Sequence, residues 1–223
     1  MNEYATAWVA SRDRVIAALS QVSPDALNSY APLCPEWRVR DIAGHLVGIS
    51  QDIAAGNFPG DLDEWAAGQV ARNFDAPLDA LLGEWPTLGL ENVVSKDLAI
   101  VLYDQVTHEC DILHALGRPA TVDRACLTLL GEFTLGRFAT GDNDLSVTLH
   151  LEGDTLQRGT GQRELNLHAE YFEWFRASTG RRSRSQIDAM DWRGDRSAID
   201  VLFTSLFQPA ELDVVESWQS AES

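Results

Sequence analysis

Apolar side chains recur every three or four residues through most of the first 140 positions, which is the spacing of a buried helix face. Residues 5–21 predict an amphipathic helix with an apolar face of Trp8, Val9, Ile16 and Leu19. Residues 37–55 predict a second helix, which ends at Gly56 and buries Val39, Ile42, Leu46, Ile49 and Ile53.

A long helix is predicted between Ser95, a residue type that caps helices, and Gly117, a residue type that ends them. The preceding stretch, 61–89, reads as shorter helical pieces broken by Pro77 and Pro86. Residues 123–138 predict one further helix.

The pattern changes after Gly141. LSVTLHLEG alternates between apolar and polar residues, RELNLHAE does so more weakly, and TLQRGTGQ between them is rich in turn residues. Two helices are predicted after these strands, at 169–178 and in AIDVLFTSLF. We therefore expect a mixed fold: a helical domain at 1–140, followed by a small α+β domain at 141–223.

Composition narrows the functional classes. The net charge of −17 opposes binding to nucleic acid or to anionic membranes, and the basic group Arg181, Arg182 and Arg184 is too small to reverse that. No run of 18 apolar residues and no secretory leader pattern is present. Three widely spaced cysteines without a CxxC pair fit a reducing compartment, so we expect a cytoplasmic protein.

Candidate metal ligands lie on two of the predicted helices. Asp104 and His108 are four residues apart, so their side chains leave one helix face with Cβ atoms roughly 6 Å apart. His45 lies within the apolar stretch IAGHLVG of another helix. Two imidazoles, one carboxylate and an open fourth position match catalytic zinc sites, and facing helices of a bundle often hold such sites.

Spacing alone leaves other interpretations open. A buried histidine is commonly hydrogen-bonded to a backbone carbonyl, and Asp104 with His108 could form a surface ion pair. Asp111 could either accept a hydrogen bond from the His108 ring or tie to a neighbouring helix. Cys34 could lie near the site, but no neighbour in the sequence lowers its pKa, so no thiolate nucleophile is predicted.

Three segments resemble the mycothiol-dependent maleylpyruvate isomerase family of the DinB/YfiT-like superfamily. LCPEWRVRDIAGHLVG is similar to the family segment "cPgWtvrdlaaHl". The family's second segment has a glutamate, a histidine four residues later and Asp-Leu three residues after that, where this chain has Asp104, His108 and Asp111-Ile112. The third is a C-terminal helix ending in "TGR", matched by Ala169 to Arg181.

The resemblance implies a DinB-like four-helix bundle followed by a sterol-carrier-like α+β domain. It also implies a divalent metal, expected to be zinc, held by His45, Asp104 and His108, which would then be the catalytic residues. Asp104 departs from the family glutamate, although aspartate is itself an ordinary zinc ligand. Nickel, iron or cobalt would suit the same ligands.

The resemblance further implies an enzyme that uses mycothiol, a low-molecular-weight thiol, as an isomerase or an S-transferase acting on a small electrophilic substrate. Arg181 and Arg182 are candidates to bind an anionic group of the thiol or substrate, and a solvated helix end is the alternative for them. A metal-dependent hydrolase without thiol and a non-enzymatic small-ligand-binding protein are the competing functions. The sequence is compatible with a monomer or a homodimer.

Overall fold

A computed structural model describes residues 1–58, 60–138, 144–203 and 207–216. The chain forms two compact units, one containing Met1–Thr121 and the other Val122–Val215. This division differs from the boundary predicted near residue 140. The helix at Arg124–Phe138 packs against elements of the second unit, and an amphipathic pattern shows that a helix has a buried face without showing which partner covers it.

The first unit is helical, as the pattern predicts. Its elements are α1 (Glu3–Leu19), α2 (Pro24–Leu27), β1 (Tyr30–Ala31), β2 (Cys34–Arg38), α3 (Val39–Ala54), α4 (Leu62–Asn73), α5 (Leu78–Glu84) and α6 (Ala99–Ala115). Helix α3 packs against α4 and α6, and α1 packs against α6. These four helices form the bundle that holds the candidate ligands.

Helix α3 begins two residues later than predicted because Trp37 and Arg38 belong to the short strand β2, which pairs with β1. The backbone N–H of Arg38 and its guanidinium both donate to Asp41 in the first turn. Burial raises the pKa of Asp41, but the bonds from Arg38 outweigh it, so the pKa lies below its ordinary value. The carboxylate therefore stays charged at the helix start, where the helix dipole favours a negative group.

Two glycines bring α4 close to α3. A Cβ on Gly48 would lie 2.6 Å from the Cβ of Gln69, and one on Gly44 would lie 3.2 Å from that of Asn73. The Asn73 side chain donates to the Gly44 carbonyl at 2.8 Å. His45 follows Gly44 and leaves the helix about 100° around the axis, so the glycines fix one face of α3 while His45 occupies another.

Helix α6 begins later than its predicted cap. Ser95 precedes a 3₁₀ turn at Lys96–Leu98, and α6 starts only at Ala99. The prolines act as predicted upstream: α4 ends before Pro77, and Pro86 lies in a 3₁₀ turn at Trp85–Leu88.

The second unit combines one sheet with helices. Its elements are α7 (Arg124–Phe138), β3 (Leu145–Leu151), β4 (Asp154–Arg158), β5 (Arg163–Ala169), α8 (Tyr171–Ser178), α9 (Arg184–Ala189), β6 (Asp191–Gly194) and α10 (Ile199–Phe203). The strand order is β4-β3-β5-β6, with β3 parallel to β5 and the other pairs antiparallel. Strand β4 lies in the segment that the pattern assigns to a turn. Most of its side chains are exposed, so it lacks the alternation that indicates a strand.

Candidate metal centre

The structure brings His45, Asp104 and His108 together, although they come from two helices. His45 lies on α3, and Asp104 and His108 lie one turn apart on α6. Asp104 is central: its Oδ2 is 3.2 Å from His45 Nε2, and its Oδ1 is 3.6 Å from His108 Nε2. One ligand atom from each residue lies within 4.8 Å of the other two. We call these three residues the donor cluster.

Asp104 reaches both imidazoles although it is one methylene shorter than the glutamate that the sequence resemblance implies. The two histidine rings stand 5.1 Å apart at 79°, so they do not stack and their nitrogens can point to a common position. The side chains of His45 and His108 are 5% and 11% exposed, whereas that of Asp104 is 25% exposed. The cluster is therefore exposed to solvent on the Asp104 side.

Asp111 orients the His108 ring. Its Oδ2 lies 3.3 Å from His108 Nδ1, and its side chain is fully buried. A carboxylate accepts hydrogen bonds, so it favours the tautomer with hydrogen on Nδ1 and a lone pair on Nε2, which faces Asp104. Of the two roles open to Asp111 from the sequence, the geometry favours this hydrogen bond with the ring.

His45 lacks an equivalent partner. Its Nδ1 is buried and has no hydrogen-bond partner among the described residues. A buried unpaired polar atom costs roughly 1–3 kcal/mol. The two imidazoles therefore differ: the His108 ring has a second carboxylate on the side away from Asp104, whereas the His45 ring has no such partner among the described residues.

Trp37 forms a wall against both histidines. Its ring centroid lies 4.9 Å from that of His45 and 5.6 Å from that of His108. Sequence reasoning did not assign Trp37 to the site, because the pattern places it at the start of a helix. The β1–β2 hairpin instead holds it just before α3. Only the family segment, which contains this tryptophan, marks the position in the sequence.

Cys34 also lies beside the site, at the other end of β2. Its Sγ is 3.3 Å from Asp111 Oδ2 and 3.9 Å from His108 Nδ1. It approaches the ring nitrogen that faces away from Asp104. The sequence left the location of Cys34 open, and the structure places it next to Asp111.

Arg181 and Arg182 belong to the second unit, where both are buried. Arg182 is 2% exposed and donates to Glu173 at 2.7 and 2.9 Å, while Arg181 donates to the Thr179 carbonyl. The alternative of a solvated helix end is therefore wrong for these residues. Their predicted binding of a thiol or substrate stays a prediction, and the bonds described here serve the second unit itself.

The fold and the first segment have counterparts among known proteins. Residues 8–96 match the family model for the mycothiol maleylpyruvate isomerase N-terminal domain. This part of the chain is similar to that domain. The resemblance predicted from the motifs is thereby confirmed, although the matched segment includes His45 and ends before Asp104 and His108.

Two solved structures share the fold. One is a crystal structure of a histidine-to-alanine mutant of the mycothiol-dependent maleylpyruvate isomerase, with 14% identity, a TM-score of 0.55 and coverage of 85% of this chain and 91% of that chain. The other is the mycothiol-dependent maleylpyruvate isomerase itself, with 15% identity, a TM-score of 0.52 and coverage of 80% and 88%. No curated protein matches the chain. The coverage extends the likeness with the isomerase over both units, so the predicted mixed fold is confirmed.

Proposed function

We propose that this protein is a metal-dependent enzyme that activates a low-molecular-weight thiol, mycothiol in the first instance, for a maleylpyruvate isomerase-like reaction. The observation that carries the proposal is the convergence of two imidazoles and one carboxylate from α3 and α6. The choice of thiol and of reaction class is supported by the similarity of residues 8–96 to the mycothiol maleylpyruvate isomerase N-terminal domain. The proposal includes a second reaction, in which the activated thiol is transferred to a small electrophilic substrate.

The donor cluster fits a divalent ion of the zinc type. Imidazole nitrogen and carboxylate oxygen are zinc ligands, and three protein ligands leave a position for a reacting molecule. The carboxylate supplies negative charge between the two rings, with its oxygens 3.2 and 3.6 Å from the imidazole nitrogens. The burial of both histidines limits competition from water for their lone pairs.

A bound divalent ion would deprotonate a coordinated thiol, whose pKa is otherwise about 8.5, and so supply a thiolate at neutral pH. The protein's own groups do the rest. His45 and His108 offer Nε2, Asp104 offers a carboxylate oxygen, and Asp111 keeps the hydrogen of His108 on Nδ1. Trp37 shields one side of both imidazoles from water.

The partners proposed for the protein are small molecules, a thiol and an electrophilic substrate. None of the helices in the described parts of the chain combines the length and apolar character needed to cross a bilayer. A cytoplasmic location stays a prediction, as does the choice between monomer and homodimer. Zinc is our proposal for the ion on ligand type alone.

The direct test measures bound metal and thiol-dependent turnover on the same preparations. Purified protein is analysed for metal, then assayed with maleylpyruvate with and without mycothiol. We expect about one zinc per chain and turnover only with thiol. His45→Ala and His108→Ala should each weaken zinc binding by more than the roughly 10–100-fold that losing an outer hydrogen-bond partner costs.

His114→Ala is the matched control, because His114 lies on α6 but outside the donor cluster. It should keep both zinc and turnover. Wild-type protein that holds no metal and cannot be reconstituted with zinc or nickel would contradict the proposal. Turnover that is equal without thiol would show that the reaction does not use a thiol, and hydrolysis products would then identify a hydrolase.

A further inference from the structure

A second set of metal-ligating atoms lies on the opposite edge of the His108 ring. Cys34 Sγ, His108 Nδ1 and Asp111 Oδ2 lie within 4.8 Å of one another. We call these residues the thiol cluster. It shares His108 with the donor cluster but uses the other ring nitrogen.

The two clusters differ in chemistry. The donor cluster offers nitrogen and oxygen, whereas the thiol cluster adds a sulfur, the ligand type that favours soft ions. Its ligands come from β2 and α6, so the hairpin that carries Trp37 also delivers the sulfur. A thiolate and a carboxylate together neutralise the charge of a divalent ion, which offsets much of the cost of burying it.

We propose that Cys34, His108 and Asp111 form a second metal position that takes thiophilic ions such as cadmium, and zinc in excess. Cys34 is half-buried, so the position is reached from its side, while Asp111 and His108 are buried behind it. On binding, the Cys34 thiol loses its proton to solvent and forms a sulfur–metal bond. The hydrogen on His108 Nδ1 moves to Nε2, because a ligating nitrogen must give up its hydrogen.

The two positions therefore exclude each other as long as the His108 imidazole is neutral. A neutral imidazole carries one hydrogen, so Nδ1 and Nε2 cannot both present lone pairs. An ion in the thiol cluster removes His108 from the donor cluster. If the proposed function holds, thiophilic ions inhibit the enzyme. This consequence rests on the proposed function, whereas binding at Cys34 does not.

The test is titration of metal-free protein with cadmium, followed by the ultraviolet thiolate-to-cadmium charge-transfer absorption. We expect wild type and His45→Ala to develop this absorption at one equivalent, because His45→Ala disables the donor cluster alone. Cys34→Ser should abolish the absorption and weaken cadmium binding in the His45→Ala background by at least about 100-fold, the upper end of what outer partners contribute.

Cys110→Ser and Cys126→Ser are matched controls, since neither residue belongs to a metal-donor group among the described residues. Both should keep the absorption. Absorption that survives Cys34→Ser, or that disappears equally in a control, would overturn the proposal. Should Cys34→Ser not fold, cadmium-113 NMR of the wild-type protein decides: a shift typical of a sulfur ligand supports the position, and one typical of nitrogen and oxygen alone refutes it.

The outcomes also separate this proposal from the proposed function. Cadmium–thiolate absorption without any zinc-dependent turnover would support the second metal position and contradict the proposed enzymatic function. Turnover with zinc but no cadmium–thiolate absorption would support the proposed function and contradict the second metal position.

Discussion

Buried polar side chains lie together in both units of this protein, but those in the second unit pair donors with acceptors, whereas those in the first unit bring lone pairs together. In the first unit, the donor cluster sets three groups with lone pairs within 4.8 Å of one another. In the second unit, Arg182 lies against Glu173, and Arg181 lies against a backbone carbonyl. Guanidinium groups can only donate hydrogen bonds, so those nearby acceptors satisfy them. Lone pairs that face each other need a cation or a proton between them, which is why the first arrangement indicates a ligand site.

The largest loss of stability is expected from a substitution of Arg182. Arg182→Met would leave Glu173 without its guanidinium, and breaking a buried pair costs about 3–5 kcal/mol. Because Glu173 is 32% exposed, we expect the free energy of unfolding to fall by about 3 kcal/mol at most. Urea denaturation of the wild type and the variant measures this loss.

Arg193→Met is the control, since Arg193 forms an exposed pair with Asp191 and should change stability little. Zinc content should be the same in both variants. A stable Arg182→Met protein with weakened thiol binding would instead support a ligand-binding role for this arginine.

Asp111→Asn tests whether Asp111 orients the His108 ring in the first unit. The amide can still accept a hydrogen bond from the ring, but it removes the charge that fixes the His108 tautomer. We expect zinc affinity to fall roughly 10–100-fold with little change in fold. Competition with a chromogenic chelator measures the affinity, and circular dichroism checks the fold. Unchanged affinity would show that Asp111 does not orient the ligand.

The amphipathic pattern predicted most of what positions the donor cluster. Periodicity located α3 and α6, and the four-residue spacing placed Asp104 and His108 on one face. His45 was assigned to the cluster through the family resemblance. Periodicity within one helix shows which face is buried, but not which neighbouring helix contacts that face.

The neighbours of the cluster were harder to predict. Cys34 and Trp37 lie on a five-residue strand that contains a proline and lacks alternation, so its pairing with β1 left no periodic pattern. Strand β4 was missed because its mostly exposed side chains show no alternation, and the contacts of α7 with α8 and β4 are tertiary contacts that no local pattern reveals. Local patterns specify elements, and contacts distant in sequence specify their partners.

The smallest effect is expected at Asp104, where the sequence resemblance implies a glutamate. Asp104→Glu keeps the carboxylate and lengthens the side chain by one methylene. Zinc affinity should stay within about tenfold of the wild type, equivalent to about 1.4 kcal/mol. Isothermal titration measures it, with Asp104→Asn as the control that removes the charge. A much larger loss in Asp104→Glu would mean that the site is built for the shorter side chain.

The metal centre is tested most directly by X-ray absorption at the zinc edge on wild-type protein loaded with one equivalent of zinc. We expect nitrogen and oxygen neighbours at about 2.0–2.2 Å, with the scattering pattern of two imidazoles and no sulfur. A sulfur neighbour at about 2.3 Å would place the ion at Cys34 instead of in the donor cluster, and the absence of bound zinc would contradict the metal centre altogether.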